Sequence, residues 1–153
     1  VLVAVGIAGW LTAWSIQQNA AAQNAALIDP GATADVQAQV SQALTRVLSY
    51  DFNDPKATED AAEQFLTGAA REEYETLYTT LQEQAPGQEL VLTAQVRVAG
   101  VKELRDDSAE LLVFLDQTSR RAGDEEASVS AAQLAVSAER DGDAWTITDL
   151  EIL

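Results

Sequence analysis

Three residue types are absent from this chain of 153 residues: cysteine, histidine and methionine. Without cysteine there is no disulfide, no thiol nucleophile and no thiolate metal site. Without histidine the Ser-His-Asp triad, the commonest general base and the commonest zinc ligand all drop out. An enzyme built on this sequence has only carboxylates, tyrosines, lysines and arginines to work with. Basic residues are scarce too. Nine Lys and Arg stand against 25 Asp and Glu, and the net charge of −16 excludes a surface that neutralises nucleic-acid phosphate. The same charge opposes adsorption to anionic lipid headgroups, and an acidic surface of this kind reads as a solubility feature. These residues lead us to expect no catalytic residue, no cofactor and no metal site.

What is present falls into two unequal parts. Val1 to Ile16, VLVAVGIAGWLTAWSI, carries no charge, and Thr12 and Ser15 are its only polar side chains. As a helix rising about 1.5 Å per residue it covers roughly 24 Å, a little less than the ~30 Å hydrocarbon core of a bilayer. The chain opens on Val1 and has no methionine, so a longer protein whose upstream residues complete the span is expected. Trp10 and Trp14 stand one helical turn apart near the downstream end, where indole rings favour the lipid–water boundary. Gly6 and Gly9 offer a small-residue face for a partner's membrane helix, although the spacing is not GxxxG. A buried core helix is also apolar at this length, and Ala20 with Ala22 makes the A-x-A pattern of a cleaved signal. The spanning helix is the reading adopted.

Orientation follows from charge. The first basic residue beyond the stretch is Arg46, and Gln17-Gln18-Asn19 is neutral, so the positive-inside rule puts the remainder outside the cytoplasm. We expect a single-pass protein of the cell membrane, in contact with the lipid bilayer through residues 1–16. Residues 17–28 are rich in the helix formers Ala and Gln and extend the helix as a stalk. Asp29-Pro30-Gly31 breaks that helix, and residues 29–153 form one extracytoplasmic domain.

Within the domain, Val36, Val40, Leu44, Val47 and Leu48 follow a 3.6-residue period, with Thr33 or Asp35 as the cap. Asp54-Pro55 suits the start of a second helix with Ala57, Ala61, Phe65 and Leu66 on one face, and Gly68 is placed to end it. A third helix carries Tyr74, Leu77, Tyr78 and Leu81 on one side, and Pro86-Gly87 stops it. The period then changes to 2. Leu90, Leu92, Ala94, Val96 and Val98 read as the buried face of a long strand. Leu111–Leu115 reads as a central strand, Ser128–Arg140 as a third, and Trp145–Leu153 as a fourth with an irregularity near Asp149. Asp141-Gly142 is a hairpin signal, and Trp145 a core anchor beside it. Arg120-Arg121 lies in a polar loop. Helices followed by strands imply an α+β domain whose antiparallel sheet is covered on one face by the helices.

Several short motifs then coincide. Leu48-Ser49-Tyr50-Asp51-Phe52 ends the first domain helix, and Phe65-Leu66-Thr67-Gly68 ends the second. Phe114-Leu115-Asp116-Gln117-Thr118 lies on the second strand, and Asp141-Gly142-Asp143-Ala144-Trp145 precedes Asp149-Leu150 at the C-terminus. In this order and spacing the chain resembles the Mce-associated membrane proteins of actinobacteria, single-pass proteins encoded with the Mce lipid-import systems. The resemblance implies a cone-shaped domain of the cystatin-like or SnoaL-like kind, similar to nuclear transport factors, in which a curved sheet wraps around helices. It also implies an accessory or assembly subunit of an integral membrane protein complex, with no catalytic residues to carry over. Another complex, such as a respiratory one, remains an alternative host. A small apolar ligand such as a lipid in the cone is a further alternative.

Tyr50, Asp51, Asp116 and Asp149 are the candidate pocket or structural polar residues. A carboxylate acting as general base needs a pKa raised by burial and a second group beside it. No second group is evident, so turn and cap hydrogen bonds are the preferred roles. The candidate contacts to a partner helix are Gly6, Gly9, Trp10 and Trp14. If residues 1–16 span the bilayer, the full chain should stay with membranes through alkaline carbonate washing and enter solution only with detergent; a chain released by carbonate would exclude a spanning helix.

Overall fold

The computed structural model describes residues 24–84 and 86–153. The expected membrane helix, with Gly6, Gly9, Trp10 and Trp14, lies outside them. Among the described residues no helix is long and apolar enough to cross a membrane. Three helices, α1 (Pro30–Val47), α2 (Pro55–Phe65) and α3 (Gly68–Gln84), precede most of a five-stranded antiparallel sheet. Its strands are β1 (Tyr50–Asp51), β2 (Val91–Leu104), β3 (Ser108–Arg120), β4 (Ser128–Asp141) and β5 (Ala144–Ile152), in spatial order β1-β2-β3-β4-β5. The α+β class and its helices-then-sheet order match the sequence reading.

Helix α1 begins earlier than expected. Asp29, read as a helix breaker, is its N-cap, with Oδ1 accepting from the Ala32 amide at 2.9 Å and Pro30 in the first helical position. Ala25–Leu27, placed in the stalk by sequence, is a 3-10 turn capped by Asn24. Val36, Val40, Ala43, Leu44 and Val47 are buried on one face of α1. They meet the inward residues of the sheet, among them Leu104, Leu111, Val113, Leu134, Val136 and Ile147. Each such side chain contributes roughly 1.5–3 kcal/mol relative to exposure.

Four strands were expected and five are present. The extra one, β1, hid in the run after α1, because two residues carry no readable period. On β2 the alternation slips. A bulge between Val96 and Val98 turns Val98, expected in the core, outward at 58% exposure and brings Ala99 and Val101 to the inner face. A second irregularity before Glu103 returns Leu104 to the core, 1% exposed. The irregularity expected near Asp149 is a one-residue bulge at Thr148, where Ala138 faces Ile147 and Ser137 faces Asp149. Trp145 is buried at the last hairpin, with the Arg140 guanidinium over its ring at 5.9 Å.

Gly68 corrects the sequence reading most clearly. It opens α3 and does not close α2, which ends at Phe65 with Leu66 extended and bridged to Ile147. Gly68 has φ +55, and a β-carbon there would stand 3.2 Å from the Thr148 carbonyl oxygen. Gly142, φ +62 at the β4–β5 turn, has open space around it. Both positions favour glycine, so alanine at Gly142 should cost about 1–2 kcal/mol from backbone alone. Alanine at Gly68 should cost more, and equal urea-unfolding losses at the two sites would show that α3 does not press on the β5 bulge.

Candidate functional site

The C-terminus of α1 delivers the chain to β1 through three linked hydrogen bonds. Ser49 Oγ donates to the Thr45 carbonyl (2.6 Å) and accepts from the Ala94 amide (3.0 Å), fixing the strand beside β2. Thr58, a buried polar residue at 5% exposure, donates from Oγ1 to the Ser49 carbonyl at 2.9 Å and ties α2 to the same point. Tyr50 then points inward, 4% exposed, against Tyr78 and Leu90. Its ring meets Tyr78 edge-on at 6.2 Å, and Tyr74 stacks on Tyr78 at 5.3 Å. Tyr78 donates to the Pro55 carbonyl at 2.8 Å.

Between α2 and β1 lies an open groove of about 570 Å³. Ala57, Ala61 and Leu92 give it apolar walls, and Asp51, Asp54, Asp60 and Arg46 its charges. Arg46 lies over the Phe65 ring, 5.7 Å from its centre. Asp51 Oδ1 accepts from both the backbone and side-chain amides of Asn53 at 2.9 Å, an Asx turn. Asp54 takes the N-cap position expected of it, but its side chain makes no capping bond. Asp60 pairs with Lys56 one turn away.

The two other sequence candidates lie elsewhere. Asp116, on β3, makes a 2.6 Å ion pair with Arg97. Asp149, on β5, is exposed. Asp149 pairs with Ser137, and Ser137 with Glu110, whereas Asp116 is six residues further along β3. At about 3.3 Å per residue the two carboxylates are some 20 Å apart along the strands. The structure thus brings Tyr50 and Asp51 to one groove and leaves Asp116 and Asp149 apart from it and from each other. Among the described residues no group of three or more carboxylates is placed to hold a metal ion. Arg46, Asp54, Thr58, Tyr74 and Tyr78 were not among the sequence candidates. The i, i+4 spacing of Tyr74 and Tyr78 was visible, but it read as an ordinary apolar helix face.

The chain is similar to an IcmL-like type IV secretion system protein from Legionella pneumophila, with a TM-score of 0.65, 10% identity, and 78% of this chain and 91% of that one covered. It is also similar to CagV from Helicobacter pylori, a VirB8 homologue of a type IV secretion system, with a TM-score of 0.61, 11% identity, and coverage of 78% and 96%. A nuclear transport factor 2-like superfamily protein from Salmonella enterica aligns with a TM-score of 0.56 at 12% identity over 80% and 92% of the two chains. The domain has this NTF2-like α+β fold. No family model and no curated protein matches the sequence.

All three tyrosines of the protein belong to this one cluster. Burial raises each phenol above its ordinary value of 10.0; Asp51 adds to the effect at Tyr50, Tyr78 to that at Tyr74 and Glu59 to that at Tyr78. Because the folded phenols hold protons that the unfolded chain releases, their contribution to stability is fully present below about pH 10 and is lost as pH rises beyond it. Phenolate absorbance should therefore appear only above the ordinary tyrosine range and together with unfolding, and Tyr74→Phe should soften the alkaline loss. Phenolate forming near pH 10 in the folded protein would show that burial does not raise the three phenols.

Proposed function

We propose that this protein is a non-enzymatic accessory or assembly subunit of an envelope membrane complex. Its domain lies on the extracytoplasmic side of the cell membrane, anchored by residues 1–16. The observation that carries the reading is the fold, shared with an IcmL-like protein and a VirB8 homologue that are named as type IV secretion system proteins. A third similar structure is named as a periplasmic fragment. The apolar N-terminal stretch supplies the anchor in this reading.

A non-enzymatic role is supported by where the carboxylates sit. Asp116 is ion-paired with Arg97, Asp51 is used in a turn, and Asp149 is exposed on β5. None has the buried partner that acid–base chemistry needs. Folds of this kind also carry enzymes, so the argument rests on these positions and not on architecture. As for the host complex, the residue motifs favour the Mce lipid-import system of actinobacteria, with a respiratory assembly as the alternative. A small apolar ligand inside the cone is the weaker reading, because Val36, Val40, Leu44, Leu104, Val113 and Ile147 fill the space between α1 and the sheet.

Mild-detergent extraction from native membranes, affinity capture on this chain and mass spectrometry test the proposal. Integral membrane proteins are expected in stoichiometric amounts. Mce proteins and their permease would select the lipid-import host, another membrane assembly would move the subunit there, and a lone chain would overturn the accessory role.

A further inference from the structure

The groove between α2 and β1 has a property that the fold does not need. Its walls are apolar, yet three carboxylates face one guanidinium around it. Two of those carboxylates are engaged, Asp51 in its turn and Asp60 with Lys56. The Asp54 side chain has no hydrogen bond or ion pair among the described residues: it sits at the head of α2 without capping it. Tyr50 adds a second, independent mark. It lines the groove and is 4% exposed, and its hydroxyl has no hydrogen-bond partner among the described residues. Buried phenols usually find a partner. No fully sealed side-chain oxygen is unpaired among the described residues, so this hydroxyl is within reach of solvent or of a ligand.

We propose that this groove is the docking site for a short segment of a partner protein in which apolar side chains alternate with Lys or Arg. The inference rests on the accessory-subunit reading and names the surface and the chemistry of its contact. Apolar side chains fit Ala57, Ala61 and Leu92, and cations fit Asp54 and the rim around it. The phenol of Tyr50 and the guanidinium of Arg46 meet the segment's carbonyl groups. The chain's net charge of −16 draws a basic segment toward it before contact is made. The site is preorganised, because Ser49, Thr58 and Tyr78 lock its walls to one another.

Photo-crosslinking of the full-length chain in native membranes tests this. A photoreactive amino acid replaces Ala57 in the groove or Phe114 on the opposite, solvent-facing side of the sheet. The expected result is an adduct from position 57 whose peptide, read by mass spectrometry, carries Lys or Arg among apolar residues. Asp54→Lys should reduce its yield about tenfold and the milder Asp54→Asn several-fold, while Glu110→Lys, an equal reversal on the outer face, should leave it unchanged. Thermal melts confirm that the variants fold. An adduct with lipid, an adduct with an acidic peptide, or indifference to Asp54 would overturn the proposal. Crosslinking from position 114 alone, or from neither position while membrane subunits still co-purify, would overturn the groove and leave the accessory role standing. A lone chain that crosslinks to nothing would overturn both.

Discussion

One helix holds this domain together in two ways. The inner stripe of α1 covers the buried face of the sheet with Val36, Val40, Ala43, Leu44 and Val47, and the helix reaches both β2 and β5. Its polar flanks finish the sheet's edges. Gln37 donates to the Ala99 carbonyl on β2, while Gln39 donates to the Asp143 carbonyl and accepts from the Trp145 amide at the head of β5. Asn24 continues the task on β2, bonding the Lys102 carbonyl and the Leu104 amide. Strand edges left open invite pairing with other chains, so this use of side-chain amides also guards against aggregation.

Charge contributes little to that stability. The ion pairs Lys56–Asp60, Arg71–Glu75, Arg97–Asp116 and Lys102–Glu110 all have at least one partner more than half exposed. Water screens exposed pairs of this kind, so they add little to stability. The carboxylates are in excess, and among the described residues they leave only a few cations outside an ion pair. Arg46 is one of these and lies over Phe65 beside the groove. Packing therefore carries the fold, and charge is free to govern what approaches it.

The aromatic cluster connects these two roles. Tyr50, Tyr74 and Tyr78 form a second small core at the sheet end where β1 and α2 meet. The hydroxyls of Tyr74 and Tyr78 donate to the backbone of α2 at Thr58 and Pro55. The groove wall is thus part of the packed structure and not a loose loop.

Much of the fold was legible in the sequence because it depended on periodicity. The 3.6-residue stripe of Val36, Val40, Leu44 and Val47 and the change of period after Gly87 required helices first and an antiparallel sheet afterwards. The absence of histidine and cysteine also limited the chemistry without any coordinates. Tertiary structure alone decided the rest. Val98 faces outward because a bulge added one residue, and no local pattern records such an addition. Glycine is favoured at the head of α3 because the Thr148 carbonyl, 80 positions away in sequence, stands against Gly68 in space. Of the candidate site, Tyr50 and Asp51 were visible as polar residues at a helix end. The contacts that Thr58 makes with Ser49, and Tyr78 with Tyr50 and Tyr74, were not, because an interaction across the fold leaves no periodic trace along the chain.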